Sequence, residues 1–136
     1  MCLYTKQICP AKARKDIVCY KVFVEGVRLT TPIVGHKIEN PHYTGVPFLM
    51  DDSDKDKPNN RRSNNMVCKF GVGPIGKGMI HAYQNVECAK LARDFFGLYA
   101  SLKTYECIIP KGTLYFKGTD GDICSRKLLI VKRVVD

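Results

Sequence analysis

Residues 105–117 (YECIIPKGTLYFK) and 122–131 (DICSRKLLIV) form three β-rich runs separated by two reversals, and this constrains the fold more than any other stretch of the chain. In 109–112, Pro110 stands where a type I turn wants φ preset, and Gly112 takes the fourth position. Gly118-Thr119-Asp120-Gly121 is the second reversal between apolar runs. Runs joined this tightly pair antiparallel.

Upstream, residues 16–24 (DIVCYKVFV) are β-branched and aromatic with apolar side chains on both faces, which predicts a buried strand. Glu25-Gly26 turns it back into 27–30, and Thr31-Pro32 ends that pairing because proline supplies no ladder donor. Residues 35–47 are rich in breakers and read as loop. Residues 51–65 (DDSDKDKPNNRRSNN) contain no aliphatic or aromatic side chain, so they form a solvated loop or linker. Residues 66–70 and 79–83 are short extended candidates around a glycine-rich middle. Asn85 is a fitting N-cap for a helix reaching about Leu102, in which Cys88, Leu91, Ala92, Phe95, Tyr99 and Leu102 make an apolar stripe. One helix against five to seven strands predicts an α+β fold: a mostly antiparallel sheet or partly closed small barrel with one main helix packed on it. At 136 residues the expectation is a single domain, 1–136, with 51–65 a loop inside it.

Composition narrows the function. No apolar run approaches the ~20 residues needed to span a bilayer, and the N-terminus is broken by charge, so a cytoplasmic protein without a membrane partner is expected. The seven cysteines (2, 9, 19, 68, 88, 107, 124) include no Cys-x-x-Cys pair. No metal, disulfide framework or cofactor is therefore expected, and Cys19, Cys107 and Cys124 read as small core hydrophobes. The net charge of +9 comes from the two structured parts: 1–50 carries seven basic and three acidic residues, 66–136 eleven and six, and 51–65 four of each. Such a surface favours an anionic partner: nucleic acid, nucleotide or an acidic protein.

Specific motifs add little catalytic content. Residues 71–78 (GVGPIGKG) satisfy G-x-G-x-x-G and nearly a P-loop, but Gly78 replaces the magnesium-binding hydroxyl and a strand-like run follows, leaving at most an anion contact by Lys77. His36 and His42 fall in the 35–47 loop. Cys124, His81 and Asp122 can be drawn as nucleophile, base and orienter. His42, Tyr43, Tyr83 and Glu106 are loosely similar to the set used by ADP-ribosyltransferase-like domains. Tyr115 and Lys117, with Arg126 and Lys127 in the following strand, suit stacking and charge contacts with a nucleic acid.

The opening Met-Cys, Ala13-x-x-Asp16-Ile17-x-Cys19-Tyr20-Lys21-Val22, Thr31-Pro32, Tyr43-x-Gly45, Met79-Ile80-His81-Ala82, Cys107-Ile-Ile-Pro-Lys-Gly-Thr113 with Tyr115, and Ser125-x-x-Leu128-x-Ile130 resemble a group of small uncharacterised bacterial and phage-borne proteins. The resemblance covers nearly the whole chain except 51–65 and is most specific at Ile-Ile-Pro-Lys-Gly-x-x-Tyr. It implies one domain and no catalytic residue, and a phage connection implies host cytoplasm or virion as setting. The expectation is a small non-enzymatic basic domain binding an anionic partner through Lys77, Tyr115, Lys117, Arg126 and Lys127. A phage structural, virion or host-interaction protein is the alternative, and an ADP-ribosyltransferase-like enzyme the third.

Overall fold

The computed structural model describes residues 2–24, 48–51, 66–69, 73–77, 80–95 and 102–135. In chain order these form β1 (Cys2–Thr5), β2 (Ala11–Lys12), β3 (Ile17–Val24), β4 (Phe48–Asp51), β5 (Met66–Lys69), β6 (Gly73–Lys77), β7 (Ile80–Tyr83), α1 (Val86–Phe95), β8 (Leu102–Ile109), β9 (Leu114–Lys117), β10 (Asp122–Ser125) and β11 (Lys127–Arg133). Eight strands build one antiparallel sheet in the order β2-β9-β10-β7-β3-β8-β11-β4, and β1-β5-β6 make a second, small sheet in which β1 and β5 run parallel. The fold is α+β, with its helix packed against β3, β7 and β8.

The large sheet is open but strongly coiled. A single residue, Arg126, links β10 to β11, although three strands lie between them in sheet order. Only a sheet curled on itself brings those two strand ends together. The main core agrees: Ala13 and Tyr115 from one end of the sheet share a cluster with Leu128 and Ile130 from the other, around Cys19, Phe23, Cys107 and Ile109. Among the described residues the edge strands β2 and β4 do not pair, and the sheet is open.

Among the described residues the outer face is covered in two places. Val22, Ala89 and Leu102 pack together under α1, with Tyr20 and Tyr83 beside them. Leu3 of β1 sits on Phe116 and Cys124.

The helix begins as the sequence predicts, because the Asn85 side chain accepts the Cys88 amide at 2.8 Å. Its packing differs. The described helix ends at Phe95; Ala89 is its buried residue, while Leu91 and Phe95 are exposed. The sheet here is lined by Val22, Tyr20 and Tyr83, which leave room for an alanine rather than a row of large side chains. Tyr99 and residues 96–101 lie outside the described region, as do the predicted strand 27–30, the 35–47 loop with His36 and His42, and 52–65. The glycine-rich middle between the extended candidates is itself a strand, β6.

Both reversals form, one of them shifted by a residue. The Thr113 amide bonds the Pro110 carbonyl at 3.1 Å, so the turn is 110–113 and Gly112 takes its third position at φ +89°. A positive φ there is what only glycine adopts without strain, and it overrides proline's preference for the second position. In the other loop Gly121 takes φ +84° and the Gly118 amide bonds the Asp122 carbonyl at 2.8 Å. A side chain at Gly121 would also meet Cys88 Sγ of the helix.

Candidate functional site

Three groups of residues carry chemistry, and they differ in exposure. The first lies at the seam between β3 and β7. These strands share a register pair, Tyr20 with Tyr83, and across the seam the half-buried Lys21 donates a hydrogen bond from its amine to the His81 carbonyl. Alternation along β3 puts Cys19, Lys21 and Phe23 on the concave face, with Cys107 directly opposite Cys19 and Tyr105 opposite Lys21. The amine stands 5.7 Å from the Phe23 ring centroid, and that ring meets Tyr105 edge-on at 5.5 Å. Burial lowers the lysine to about 8, partly offset by the neighbouring Cys107 and Cys19. Burial likewise pushes the Cys19 thiol up to about 12 and Cys107 well above its usual range. Neither thiol ionises near neutrality, so neither is a ready nucleophile.

The second group is the Cys124, His81 and Asp122 set. The structure does bring it together, since Cys124 faces His81 across the β10–β7 register. It also disables it. Cys124 is fully buried beneath Leu3 and Phe116, and burial pushes its thiol up to about 12. Burial, then Lys21 and the chain's amino terminus, lower His81 to about 3, and its Nε2 has no hydrogen-bond partner among the described residues. Asp122 faces Tyr83 rather than His81, and its carboxyl is raised by burial. A buried neutral thiol and a weakly basic buried imidazole make this, among the described residues, a packing arrangement. Tyr83 and Glu106, from the transferase-like set, are separated by β3 with Tyr20 between them, roughly 10 Å at the usual strand spacing. Glu106 instead pairs with Lys132 at 3.9 Å, which a bulge after Ile130 turns to the outer face. His42 and Tyr43 lie outside the described residues.

The third group is exposed and basic, along the β2–β9 edge. Lys12 pairs in register with Leu114, and its Cε lies 4.0 Å from where a Gly112 side chain would begin. Ala13 exchanges backbone hydrogen bonds with the 110–113 turn, to Gly112 at 2.8 Å and Thr113 at 2.9 Å. The Asp16 carboxylate accepts the Lys111 amide at 2.9 Å. Arg14 and Lys15 are thereby held between two anchored residues beside Lys111. Farther along, Thr5 donates its hydroxyl to the Lys117 carbonyl at 2.7 Å and the Gln7 side chain accepts the Lys117 amide at 2.6 Å, which seats Lys6 next to Lys117. Lys6, Lys12, Arg14, Lys15, Lys111 and Lys117 are all exposed. Within 2–16 and 111–117 the acidic residue is Asp16.

The five residues singled out from sequence divide around this edge. Lys117 belongs to it. Tyr115 lies beside it but turns inward, half-buried against the main core. Arg126 adjoins it, its amide bonded to the Leu114 carbonyl at 3.1 Å. Lys127 follows Arg126 directly and opens β11 opposite Asp51, beside the edge rather than on it, and Lys77 ends β6 in the small sheet. Reading 115–127 alone misses Lys6, Lys12, Arg14, Lys15 and Lys111, because the partner of β9 comes from a hundred residues upstream. The local clue was three cations in four residues, 12–15 (KARK). A further concavity of about 500 Å³ is lined by Lys103, Arg133, Val134 and Val135, away from this edge. No family model, curated protein or solved structure matches the chain.

Proposed function

We propose that this chain is a small non-enzymatic domain that binds an anionic macromolecule, a nucleic-acid backbone, along the β2–β9 edge. The observation that supports this is the row of six exposed cations with one carboxylate among them, held on backbone segments that hydrogen bonds tie together. An extended row presents charge at intervals, as successive phosphates do, and neutralising them releases counterions. Tyr4, exposed on β1 two residues before Lys6, offers an aromatic surface at one end of the row. Against catalysis stand the buried, protonated thiols and the weakly basic His81.

The test is fluorescence anisotropy with labelled single-stranded and duplex oligonucleotides at low salt. Reversing Lys12, Arg14, Lys15 and Lys111 to glutamate should weaken binding about 100-fold, while reversing Lys132 and Arg133 should leave it nearly unchanged. Equal losses in both variants would reduce the row to a solubilising surface. Binding of an acidic protein but of no nucleic acid would keep the edge and change its partner, and turnover of a nicotinamide dinucleotide would restore the transferase reading.

A further inference from the structure

The backbone of the basic edge is already occupied. β2 pairs with Leu114 and Tyr115 of β9, and beyond it the Gln7 side chain accepts the Lys117 amide at 2.6 Å and donates to the Tyr115 carbonyl at 3.4 Å. β2 itself has two residues, carries Lys12 and follows Pro10, features that stop a sheet edge from recruiting another strand. A partner at this edge therefore meets side chains and not a backbone ladder, which suits a polynucleotide better than an extended acidic peptide.

Apolar side chains stand among the cations. Tyr4 is 43%, Ile8 71% and Leu114 42% exposed; the first two flank Lys6 along the chain, and Leu114 lies directly opposite Lys12. Alternation puts Leu114 and Phe116 on the outer face, Leu3 covers Phe116, and Tyr4, the next residue of β1, points away from the sheet on that same side. The backbone under the Tyr4 ring is fixed, because its carbonyl accepts the Thr119 amide at 2.8 Å and the Thr119 hydroxyl at 3.3 Å. This surface comes from 3–16 and 111–119, in which every residue is described.

We propose that the edge takes single-stranded rather than duplex nucleic acid, with unpaired bases lying on Tyr4, Ile8 and Leu114 while the cations hold the phosphates. The inference rests on the assignment of the β2–β9 edge as a nucleic-acid surface. Charge alone gives the opposite preference, since a duplex carries one phosphate per ~1.7 Å of axis, twice the density of either strand, and releases more counterion per contact. A duplex also keeps its base faces stacked inside, so the three apolar side chains would be pressed against phosphate and sugar. An unpaired strand turns the same side chains into contacts. Every base has a π-face, so the recognition is tolerant of sequence.

The chain has no tryptophan, so Tyr4→Trp supplies a unique fluorophore at the stacking position. Single-stranded and duplex oligonucleotides of about 12 nucleotides per strand are titrated at low salt into wild type, Tyr4→Trp and Tyr4→Ala, with folding checked by circular dichroism. The wild type should bind the single strand at least about fivefold more tightly than the duplex, and the single strand alone should quench the introduced indole. Tyr4→Ala should weaken single-strand binding about tenfold and duplex binding less than about twofold. A duplex bound as tightly as the single strand, an indole that single strands leave unquenched, or a Tyr4→Ala variant that loses both equally would overturn this inference, while the charge-reversal variants still decide the edge. No binding of either oligonucleotide would overturn both readings.

Discussion

Lys21 and the lysines of the β2–β9 edge are the same side chain in opposite surroundings. The edge cations stand in water, where a phosphate can displace their counterions. Lys21 stands among Cys19, Phe23, Tyr105 and Cys107, donates a hydrogen bond to the His81 carbonyl, and is lowered to about 8. The difference shows why charge count alone does not identify a binding face. A buried cation costs folding free energy and contributes nothing to a partner, whereas exposed cations cost little and are available.

This contrast breaks first at His81. Below pH 6.5 the unfolded chain takes up a proton that the folded imidazole refuses until about pH 3, so acid destabilises the fold, by about 3 kcal/mol at about pH 4. Urea denaturation as a function of pH measures this, and His81→Leu should flatten it. Stability that is level down to pH 4 in the wild type would mean that His81 is hydrated. The edge should respond in the opposite sense: reversing Lys12, Arg14, Lys15 and Lys111 should leave denaturation midpoints within about 0.5 kcal/mol while weakening polyanion binding about 100-fold.

A smaller effect belongs to Lys21. Between pH 8 and 10.5 the unfolded lysine holds a proton that the folded one has released, so its contribution to stability rises with pH through that window. The thiols of Cys19 and Cys124, held protonated to about 12 in the fold but ionised when unfolded, oppose it. From pH 8 to 9 the lysine adds about 1 kcal/mol while the unfolded thiols of Cys19, Cys107 and Cys124, already starting to ionise, remove about as much, so stability should stay nearly level to pH 9 and fall above it, whereas Lys21→Met should fall from pH 8 onward. Smallest of all, reversing Arg126 and Lys127 should weaken binding only a few-fold, since both stand at the corner beside the edge rather than on it, and reversing Lys55 and Lys57 should do nothing measurable.

How much of this was legible in the sequence follows from the range of the interactions. The β8–β9–β10–β11 runs, the Asn85 cap and the burial of Cys19, Cys107 and Cys124 rest on local chemistry, and reading them from sequence succeeds. The stripe through Leu91 and Phe95 fails because periodicity reports that a helix has an apolar face, not which residues a sheet has room to cover. The basic edge was half-visible: Lys117 and Arg126 were picked out from their own strands, but the cations of 6–15 join them only through pairing of β2 with β9 across a hundred residues. Likewise nothing local marks the one-residue corner at Arg126 as the place where the sheet closes toward itself.

The most direct test of the central claim is the salt dependence of oligonucleotide binding, read as the slope of log affinity against log salt. If the six edge cations meet phosphates, the wild-type slope should be near −5, and changing Lys12, Arg14, Lys15 and Lys111 to glutamine should reduce its magnitude by about 4, or roughly one for each cation removed. Changing Lys132 and Arg133 to glutamine should leave the slope as it was. A slope that the four edge substitutions do not alter, or that the Lys132 and Arg133 pair reduces instead, would contradict the assignment of the β2–β9 edge as the binding surface.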